Sequence, residues 1–434
     1  MSRSKFHFAA AGIVVLASFL RLFALGFWQQ LLFDESYYVK DAISLRLFGA
    51  ELGWSKGANH LLENGTLPHP LSSAELISHP PLGKWLISIG FDWFGPIDAM
   101  GWRITAALAG ILVVILTIAV ARLIFEKDSI ALLAGLFMAV DGTAVMLSRV
   151  AMLDGFLALF VLLAWWLYLK AFTAARPTAW LVATGLALGA AMAVKWSGLW
   201  FALALVAFAA IRTRQRWAAI WRISVAAIAT YLASWFGWLF GSVGLDRNFG
   251  GNPIAAFVKL HIDMYNYNID YRSSNKSVAN AWQWLTLEKP TLFAVDPHSA
   301  ATAACQAGAN CKVVLSTLGN PLIWWLGTAA VIALCFALIR RSETRGTLAL
   351  LGFAAGWLPW LIFTQRSAFQ FYAVAFEAFL AMTLAWAAAK LPARRLGIAA
   401  TAIVLVSFLF LPYQLGTAQP DWYWALVRWL PGWQ

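Results

Sequence analysis

The sequence predicts an all-α, polytopic membrane protein, because it is apolar, sparsely charged and built from long apolar runs. Of its 434 residues, 61% are hydrophobic and only 12% are charged, and the mean hydropathy is +0.70. Soluble domains average roughly 45–50% apolar and about 25% charged residues. So little charge does not cover a water-soluble globule, which excludes a cytosolic enzyme, a secreted disulfide scaffold and a disordered chain. The apolar runs are continuous and about 20 residues long, which excludes the alternating strands of a membrane β-barrel.

Eleven apolar runs predict about eleven transmembrane helices in a single membrane-embedded domain, residues 1–434. The first run, 8–28, follows two cations, contains Arg21 and lacks a small-residue cleavage pattern, so it is interpreted as a membrane helix and not a signal peptide. A weaker run at 85–94 is short and amphipathic enough to lie in the membrane interface. The other ten runs lie near 99–121, 129–147, 151–170, 178–194, 197–211, 219–243, 317–339, 347–363, 368–389 and 396–413.

The distribution of cations predicts the orientation of the chain. With a cytoplasmic N-terminus, sixteen of the 32 Lys and Arg residues fall in six short inner segments. Each of the three short outer loops then holds one cation: Arg149, Lys195 or Arg366. This bias follows the positive-inside rule and explains the net charge of +12 without nucleic acid. Eleven spans place the C-terminus outside. The inner cations are Arg3, Lys5, Arg122, Lys127, Lys170, Arg176, Arg212, Arg214, Arg216, Arg222, Arg340, Arg341, Arg345, Lys390, Arg394 and Arg395.

Two long extracytoplasmic loops are predicted, at 29–84 and at 244–316, the second 73 residues long. The second loop contains Cys305 and Cys311. An oxidising outer face favours a disulfide between them, and two free thiols are the alternative. Cys335 falls in an apolar run and is expected to be a small core residue.

Ionisable residues in or beside the predicted spans gather on the outer side. Such residues are costly in a membrane and are functional hypotheses by default. Their position predicts a chemical site at the outer interface and not a transport path through the bilayer. The residues are Asp34, Glu35, His79, Lys84, Arg103, Arg149, Asp154, Lys195 and Arg366.

These residue types suit transfer from a phosphate leaving group. The adjacent carboxylates Asp34 and Glu35 could supply a general base. Cations at the depth of the phosphate head groups could bind a lipid-linked phosphate and stabilise its charge. The alternatives are interhelical salt bridges for Arg103 and Asp154, and a snorkelling side chain for Lys84.

A metal site is not predicted. His79 and Glu35 could together bind Zn or Mn, but a single histidine without a spaced partner is weak support for a metal. A requirement for a divalent metal is left open.

The ordered motifs FDE, HPPLGK, SR-x-x-MLD and KWSGL, followed by AWQWLTLEKPTLF, LGNPLIWW and RSAFQFY, resemble the protein O-mannosyltransferases of the bacterial, actinobacterial-type branch. The resemblance spans nearly the whole chain. It implies a GT-C glycosyltransferase architecture with eleven membrane helices. It also implies a polyprenyl-phosphate-mannose donor and Ser/Thr hydroxyls of translocated proteins as acceptors.

The same resemblance implies roles for individual residues. Asp34 corresponds to the catalytic base, with Glu35 beside it. His79 and Lys84 match the motif of the first loop, and Arg103 matches the arginine of the second helix. Together with the other outer-face residues, this gives the set expected to bind the donor phosphate or substrate: His79, Lys84, Arg103, Arg149, Asp154, Lys195, Arg366 and Tyr372, with Arg366 and Lys195 the best candidates among the cations for holding the phosphate charge.

Two departures from the eukaryotic members matter. Ile77 stands where those members carry an Asp, so that acidic partner is missing or is replaced by Glu75. The 244–316 loop is too short for a MIR domain, so acceptor selection falls to the membrane part or to another protein.

The predicted function is therefore inverting transfer of mannose to secreted or membrane proteins emerging from the translocon, on the extracytoplasmic face of the cell membrane. Expected partners are the lipid-linked donor, these acceptor proteins and membrane lipids, with no nucleic acid. One alternative is another GT-C transferase acting on lipid or cell-wall glycan. Oligosaccharyltransferase is disfavoured because no WWDYG motif is present. A transporter or flippase is an alternative from another class, but its interrupted helix pairs and midplane charges are not found.

Overall fold

The computed structural model describes residues 2–212, 216–296 and 311–433. The chain forms two compact units, each assembled from segments that are distant in sequence. Unit 1 comprises Met1–Phe23, Gly110–Arg149 and Ser273–Gln434, and unit 2 comprises Ala24–Ala109 and Val150–Arg272.

The described residues are mostly helical and include five short strands. The helices are α1 Arg3–Leu22, α2 Glu35–Phe48, α3 Ala58–Glu63, α4 Leu82–Ile89, α5 Phe91–Phe94, α6 Ala99–Phe125, α7 Asp128–Val140, α8 Gly142–Leu147, α9 Leu153–Thr173, α10 Thr178–Val194, α11 Gly198–Arg212, α12 Arg216–Ser234, α13 Phe236–Phe240, α14 Pro253–Asp270, α15 Ala281–Thr286, α16 Pro321–Ile339, α17 Thr347–Trp357, α18 Pro359–Ile362, α19 Val374–Ala388, α20 Ala393–Phe410, α21 Pro412–Leu415 and α22 Asp421–Val427. Two 3₁₀ turns lie at Phe249–Gly251 and Gln370–Ala373, and the strands are β1 Leu52–Trp54, β2 Pro70–Ala74, β3 Leu292–Asp296, β4 Cys311–Ser316 and β5 Gln419–Pro420.

Among the described residues, seven helices are long and apolar enough to cross a membrane. They are Arg3–Leu22, Ala99–Phe125, Leu153–Thr173, Arg216–Ser234, Pro321–Ile339, Gln370–Ala388 and Ala393–Phe410. Four shorter apolar helices are Asp128–Val140, Thr178–Val194, Gly198–Arg212 and Thr347–Ile362. Each of the eleven predicted runs overlaps one of these helices. The prediction of a polytopic helical chain is therefore confirmed, while the number of crossings and the orientation stay predictions.

In unit 2, α10 packs against α9, α11 and α12. Two glycines, four residues apart on α10, permit the closest of these approaches. A Cβ atom added at Gly185 would lie 2.3 Å from the carbonyl oxygen of Ile223, and one at Gly189 would lie 2.3 Å from that of Ala227. Small residues at this spacing let membrane helices touch backbone to backbone.

In unit 1, the candidate span Gln370–Ala388, which contains α19, is the most buried of the seven described spans. Of its most apolar stretch of 18 residues, 89% lies inside the protein. Helix α19 packs against α7, α16 and α17. A helix covered on all sides needs no polar face, which explains the continuous apolar run that predicted it.

The described parts of the two predicted outer loops contain helices and strands. The first contains α2, β1, α3 and β2, and β1 and β2 pair antiparallel with Leu52 opposite Ala74. In unit 1, β3 pairs antiparallel with β4, with Val295 opposite Val314, and β4 pairs with β5. These small sheets lie outside the all-α prediction.

Candidate functional site

Asp34 lies at the N-cap of α2 in unit 2 and is partly exposed. It follows Phe33, whose φ of 53° turns the chain sharply into the helix. One helical turn later, the Tyr38 hydroxyl donates to Asp34 Oδ2 at 3.4 Å. Burial raises the pKa of Asp34 to about 6, against the opposing charge of Lys195. A carboxylate with this pKa is ionised at neutral pH and basic enough to accept a proton.

Glu35, the next residue, has very different surroundings. Its side chain is fully buried, and its two oxygens accept four hydrogen bonds. Oε1 accepts from Arg103 Nε at 2.8 Å and from the Ala151 amide at 2.7 Å. Oε2 accepts from Arg103 Nη2 at 2.7 Å and from the Leu32 amide at 2.8 Å. Because its lone pairs are committed, Glu35 is suited to hold the site together and not to accept a proton.

Arg103 lies in the first turns of α6 and is 1% exposed. Besides Glu35, its guanidinium donates to the carbonyl oxygens of Trp28 and of Gln30, the latter at 2.8 Å. It thereby fixes the segment that leads into α2. This geometry is the buried salt bridge that was the alternative interpretation of Arg103. A phosphate-binding role for Arg103 stays a prediction.

Asp154 and Lys195 form a second buried pair in unit 2. Lys195 Nζ lies 2.9 Å from Asp154 Oδ1 and 3.0 Å from Oδ2. Asp154 is in the first turn of α9, and Lys195 is the C-cap of α10, where the helix dipole favours these charges. Both charges act on the pKa of Asp34, so the pair lies within electrostatic range of that carboxylate.

Lys84 forms a third buried group at the start of α4. Its ammonium lies 2.8 Å from Glu51 Oε1 and 3.4 Å from Asp41 Oδ2. Burial alone would lower the pKa of Lys84, and the charges of Glu51 and Asp41 outweigh it and raise that pKa. Glu75 lies within electrostatic range of Lys84, and burial raises the pKa of the Glu75 carboxyl. Lys84 therefore joins α4 to α2, and its role toward phosphate stays a prediction.

His79 begins the HPPLGK motif, three residues before α4, and is buried. Its ring packs against the ring of Tyr38 at a centroid distance of 6.2 Å. Since Tyr38 donates to Asp34, these two aromatic side chains form one wall beside the Asp34 carboxylate.

In unit 1, Arg149 is buried and caps α1. Its Nη1 donates to the carbonyl oxygens of Leu20, Arg21 and Phe23, at 3.1, 3.3 and 2.8 Å. Carbonyls in the last turn of a helix lack helical partners, and a cation there also interacts favourably with the dipole. These contacts support a structural role for Arg149.

Arg366 and Tyr372, also in unit 1, are brought together by aromatic packing. The Arg366 guanidinium carbon lies 5.4 Å from the Trp360 ring centroid and 5.9 Å from that of Tyr372. The two rings lie 4.9 Å apart. An arginine beside aromatic faces has a defined position while it keeps its charge.

Three buried ionisable residues of unit 1 were not among the predicted site residues: Arg21, Asp141 and Glu377, each 0% exposed. Arg21 donates to the carbonyls of Met138 at 3.1 Å and Ala139 at 3.0 Å. Asp141 Oδ1 accepts from the Thr143 amide at 2.8 Å and thereby caps α8. A charge inside an apolar run is the signal that identifies such residues.

Cys305 lies outside the described residues, so its predicted disulfide with the buried Cys311 stays a prediction. Cys335 is exposed on α16, and the expectation that it is a core residue is wrong. In the described part of the chain, no group of three or more His, Cys, Asp or Glu side chains could hold a metal.

Known families match almost the full length of the chain. The dolichyl-phosphate-mannose-protein mannosyltransferase family matches residues 12–247. The C-terminal four-helix region of protein O-mannosyltransferases matches residues 253–433. Two relatives are named polyprenol-phosphate-mannose--protein mannosyltransferase. The one from Mycobacterium tuberculosis is 26% identical over 93% of this chain and 86% of its own length. The one from Corynebacterium glutamicum is 26% identical over 83% of this chain and 82% of its own length.

Solved structures share the fold. The Saccharomyces cerevisiae protein O-mannosyltransferase Pmt1–Pmt2 complex, bound to the sugar donor, has a TM-score of 0.78 at 14% identity, covering 100% of this chain and 93% of the matched one. ArnT from Cupriavidus metallidurans, bound to undecaprenyl phosphate, has a TM-score of 0.59 at 16% identity, covering 94% and 65%. The predicted GT-C fold and the family resemblance are confirmed. Since the first family match alone covers more than half of its residues, the chain belongs to the dolichyl-phosphate-mannose-protein mannosyltransferase family of glycosyltransferases.

Proposed function

We propose that this protein transfers mannose from a polyprenyl-phosphate-mannose donor to Ser or Thr hydroxyls of proteins. The names of the mycobacterial and corynebacterial relatives support the donor and acceptor classes. The observation that carries the proposal is the contrast between two neighbouring carboxylates. Glu35 is saturated by four donors, whereas Asp34 is partly exposed and has a pKa of about 6.

In the proposed step, Asp34 accepts the proton of the acceptor hydroxyl as its oxygen attacks the anomeric carbon of mannose. A new carbon–oxygen bond forms on one face of the sugar, and the bond to the phosphate oxygen breaks on the opposite face. Polyprenyl phosphate leaves with the bonding electron pair, and the anomeric configuration inverts. The protein contributes positioning and charge stabilisation, because phosphate is already a good leaving group.

Two cations are the proposed partners of the phosphate. Arg366 keeps its charge while Trp360 and Tyr372 define its position. Lys195 forms an ion pair with Asp154, which holds the Lys195 ammonium in place but offsets part of its positive charge. Arg366 is therefore the stronger candidate for direct contact with phosphate, and Lys195 is the candidate for tuning Asp34.

The reaction is proposed to occur at the extracytoplasmic face of the cell membrane, on acceptors that emerge from the translocon. The inner location of most cations in short loops supports this orientation.

The test is a transfer assay on membranes that contain the full chain. Labelled polyprenyl-phosphate mannose is supplied with a Ser/Thr peptide, and mass spectrometry locates hexose on the peptide while NMR gives its anomeric configuration. A matched peptide with Ala in place of each Ser and Thr is the control. Label found only on lipid or cell-wall glycan would support the alternative GT-C transferase, and translocation of the donor without transfer would support a flippase.

A further inference from the structure

A basic pocket in unit 1 is separate from every residue assigned above. It is a cavity of about 350 Å³ where the α6–α7 junction, the segment after α16 and the end of α19 meet. Binding pockets for small ligands have volumes of roughly 300–1,000 Å³. Four of the residues lining the pocket are cations: Lys127, Arg341, Arg345 and Lys390.

One carboxylate, Glu343, lines the described part of this pocket, and hydrogen bonds hold it in place. Its Oε1 accepts from the Arg345 amide at 2.7 Å, and its Oε2 accepts from the Trp386 indole at 3.2 Å. A second carboxylate, Glu126, pairs with Arg345 from outside the lining. Four cations against these two carboxylates still leave the pocket positive, which favours an anion with several oxygen acceptors.

Two of the cations have defined positions. The Lys390 ammonium lies 3.5 Å from the centroid of the Trp386 ring, and Arg345 Nη2 lies 2.9 Å from Glu126 Oε2. Arg341 has a left-handed backbone, with φ of 54°, at the point where the chain turns out of α16. All four cations are exposed, and these contacts hold two of them in place beside the cavity.

The surroundings favour a lipid over a free anion. All four cations belong to the segments that the charge distribution predicts as cytoplasmic. Next to them, the last turns of α16 present Phe336 and Ile339 at 58% and 77% exposure. A head group in the pocket would thus have an apolar helix surface beside it for the acyl chains. Basic pockets between membrane helices on the cytoplasmic side bind acidic lipid head groups.

We propose that this pocket binds the phosphate head group of an anionic glycerophospholipid, with the acyl chains along the exposed face of α16. The proposal does not depend on the glycosyltransferase reaction. It adds a lipid site built on a different set of residues from the proposed donor site.

Native mass spectrometry of the purified full chain in detergent tests the proposal. Phosphatidylglycerol and phosphatidylcholine are titrated in parallel, and soluble glycerol 3-phosphate is added as a competitor. We expect phosphatidylglycerol to bind at least tenfold more tightly than phosphatidylcholine. Removing each cation should weaken phosphatidylglycerol binding by about fivefold, and the double variant Arg341→Gln, Lys390→Gln by about 30-fold.

The matched control is Arg394→Gln, Arg395→Gln, which removes two exposed cations on the same predicted face but outside the pocket. This control should keep the affinity of the unaltered chain. Equal affinity for the two lipids, an equal loss in the control, or full competition by equimolar glycerol 3-phosphate would each overturn the proposal. Should the double variant fail to fold, the fivefold loss expected of Arg341→Gln alone keeps the test decisive, since Arg341 is exposed.

Discussion

Arg103 binds both carboxylate oxygens of Glu35, with Nε 2.8 Å from Oε1 and Nη2 2.7 Å from Oε2. This bidentate contact fixes the first residue of α2 and, through the chain, the position of the neighbouring Asp34. The two adjacent acids therefore differ in role. Glu35, held by Arg103, positions the site, and Asp34 is proposed to accept the proton.

The first prediction separates these two roles. Asp34→Asn should lower turnover by roughly 10²- to 10⁴-fold with little change in donor affinity, because it removes the base and keeps the shape. Glu35→Gln should instead lower thermal stability, since its amide group presents hydrogens to a site that contains only donors. Steady-state kinetics and donor titration measure the effect of Asp34→Asn, and thermal unfolding in detergent measures that of Glu35→Gln. The control is Asp92→Asn, an exposed carboxylate of the same unit, and a fully active Asp34→Asn protein would remove Asp34 from the base role.

The pH dependence follows from the raised pKa of Asp34. A base acts in its deprotonated form, so kcat/KM should fall about tenfold per pH unit below about 6 and be flat above it. The contribution of Asp34 to the free energy of unfolding should change in the opposite direction, falling as the pH rises. The folded pKa exceeds the unfolded value of about 3.9, so this group makes folding less favourable as pH rises from about 4 to 6. Asp34→Asn should therefore be at least as stable at pH 7, and its residual rate should lack the inflection. An unchanged inflection would assign the titration to another group.

Arg103→Lys tests the geometry of the bidentate contact. Lysine keeps the charge but not the planar fork, so it cannot satisfy both oxygens of Glu35 and the carbonyls of Trp28 and Gln30. We expect a loss of about 2–3 kcal/mol in unfolding free energy, measured by thermal or denaturant unfolding in detergent. Arg46→Lys, in an exposed pair with Asp92, is the matched control and should change stability by less than about 1 kcal/mol. Equal losses in the two variants would show that charge alone matters.

A double-mutant cycle on Asp154 and Lys195 separates a structural pair from a phosphate site. Each single change, Asp154→Asn or Lys195→Met, leaves a buried charge without its partner and should cost about 3–5 kcal/mol. The double variant removes both charges and should recover much of that stability. If Lys195 also contacts the donor phosphate, the recovered double variant should still bind the donor weakly. Normal donor affinity in the double variant would confine Lys195 to the ion pair.

The predicted orientation can be checked by labelling single cysteines placed in a chain with Cys305, Cys311 and Cys335 replaced by serine. Ser274→Cys, exposed in the predicted outer loop, should react with an impermeant thiol reagent in intact cells. Ser342→Cys, exposed beside Arg341, should react only after the membrane is opened. The reverse pattern would overturn the orientation and place the proposed site on the wrong face for translocated acceptors.

The sequence was informative where one physical effect dominates. Burial in lipid or protein requires continuous apolar runs, so each of the eleven predicted runs overlaps an apolar helix. The paired acids Asp34 and Glu35 could likewise be identified as candidate site residues, because charges beside a membrane need compensation. The different surroundings of the two acids could not be predicted, since three of the four donors to Glu35 come from Arg103 and from the backbone of Ala151, far away in the sequence.

The contacts that could not be predicted from the sequence are mostly polar contacts between residues far apart in the chain. Lys84 meets Glu51 across a loop, and Arg149 satisfies carbonyls of α1 that lie more than 120 residues earlier in the chain. Either cation is compatible in sequence with a phosphate site, and only the fold shows its partners. The strands β3 and β4 were also missed, since two short segments of a polar loop carry too weak a pattern to compete with the membrane signal.

The amide of Ala151 as a donor to Glu35 has a consequence for biogenesis. A chain inserted from its N-terminus has only the Leu32 amide available for this carboxylate until Arg103 follows. The fourth donor arrives later still, with the segment that precedes α9. The segment around Glu35 therefore cannot form all of its final contacts when it is first synthesised, because one donor belongs to a residue made more than a hundred residues later. Nascent chains arrested before residue 151 should carry a loop that proteases still cut, which makes the maturation of this site a late event in membrane insertion.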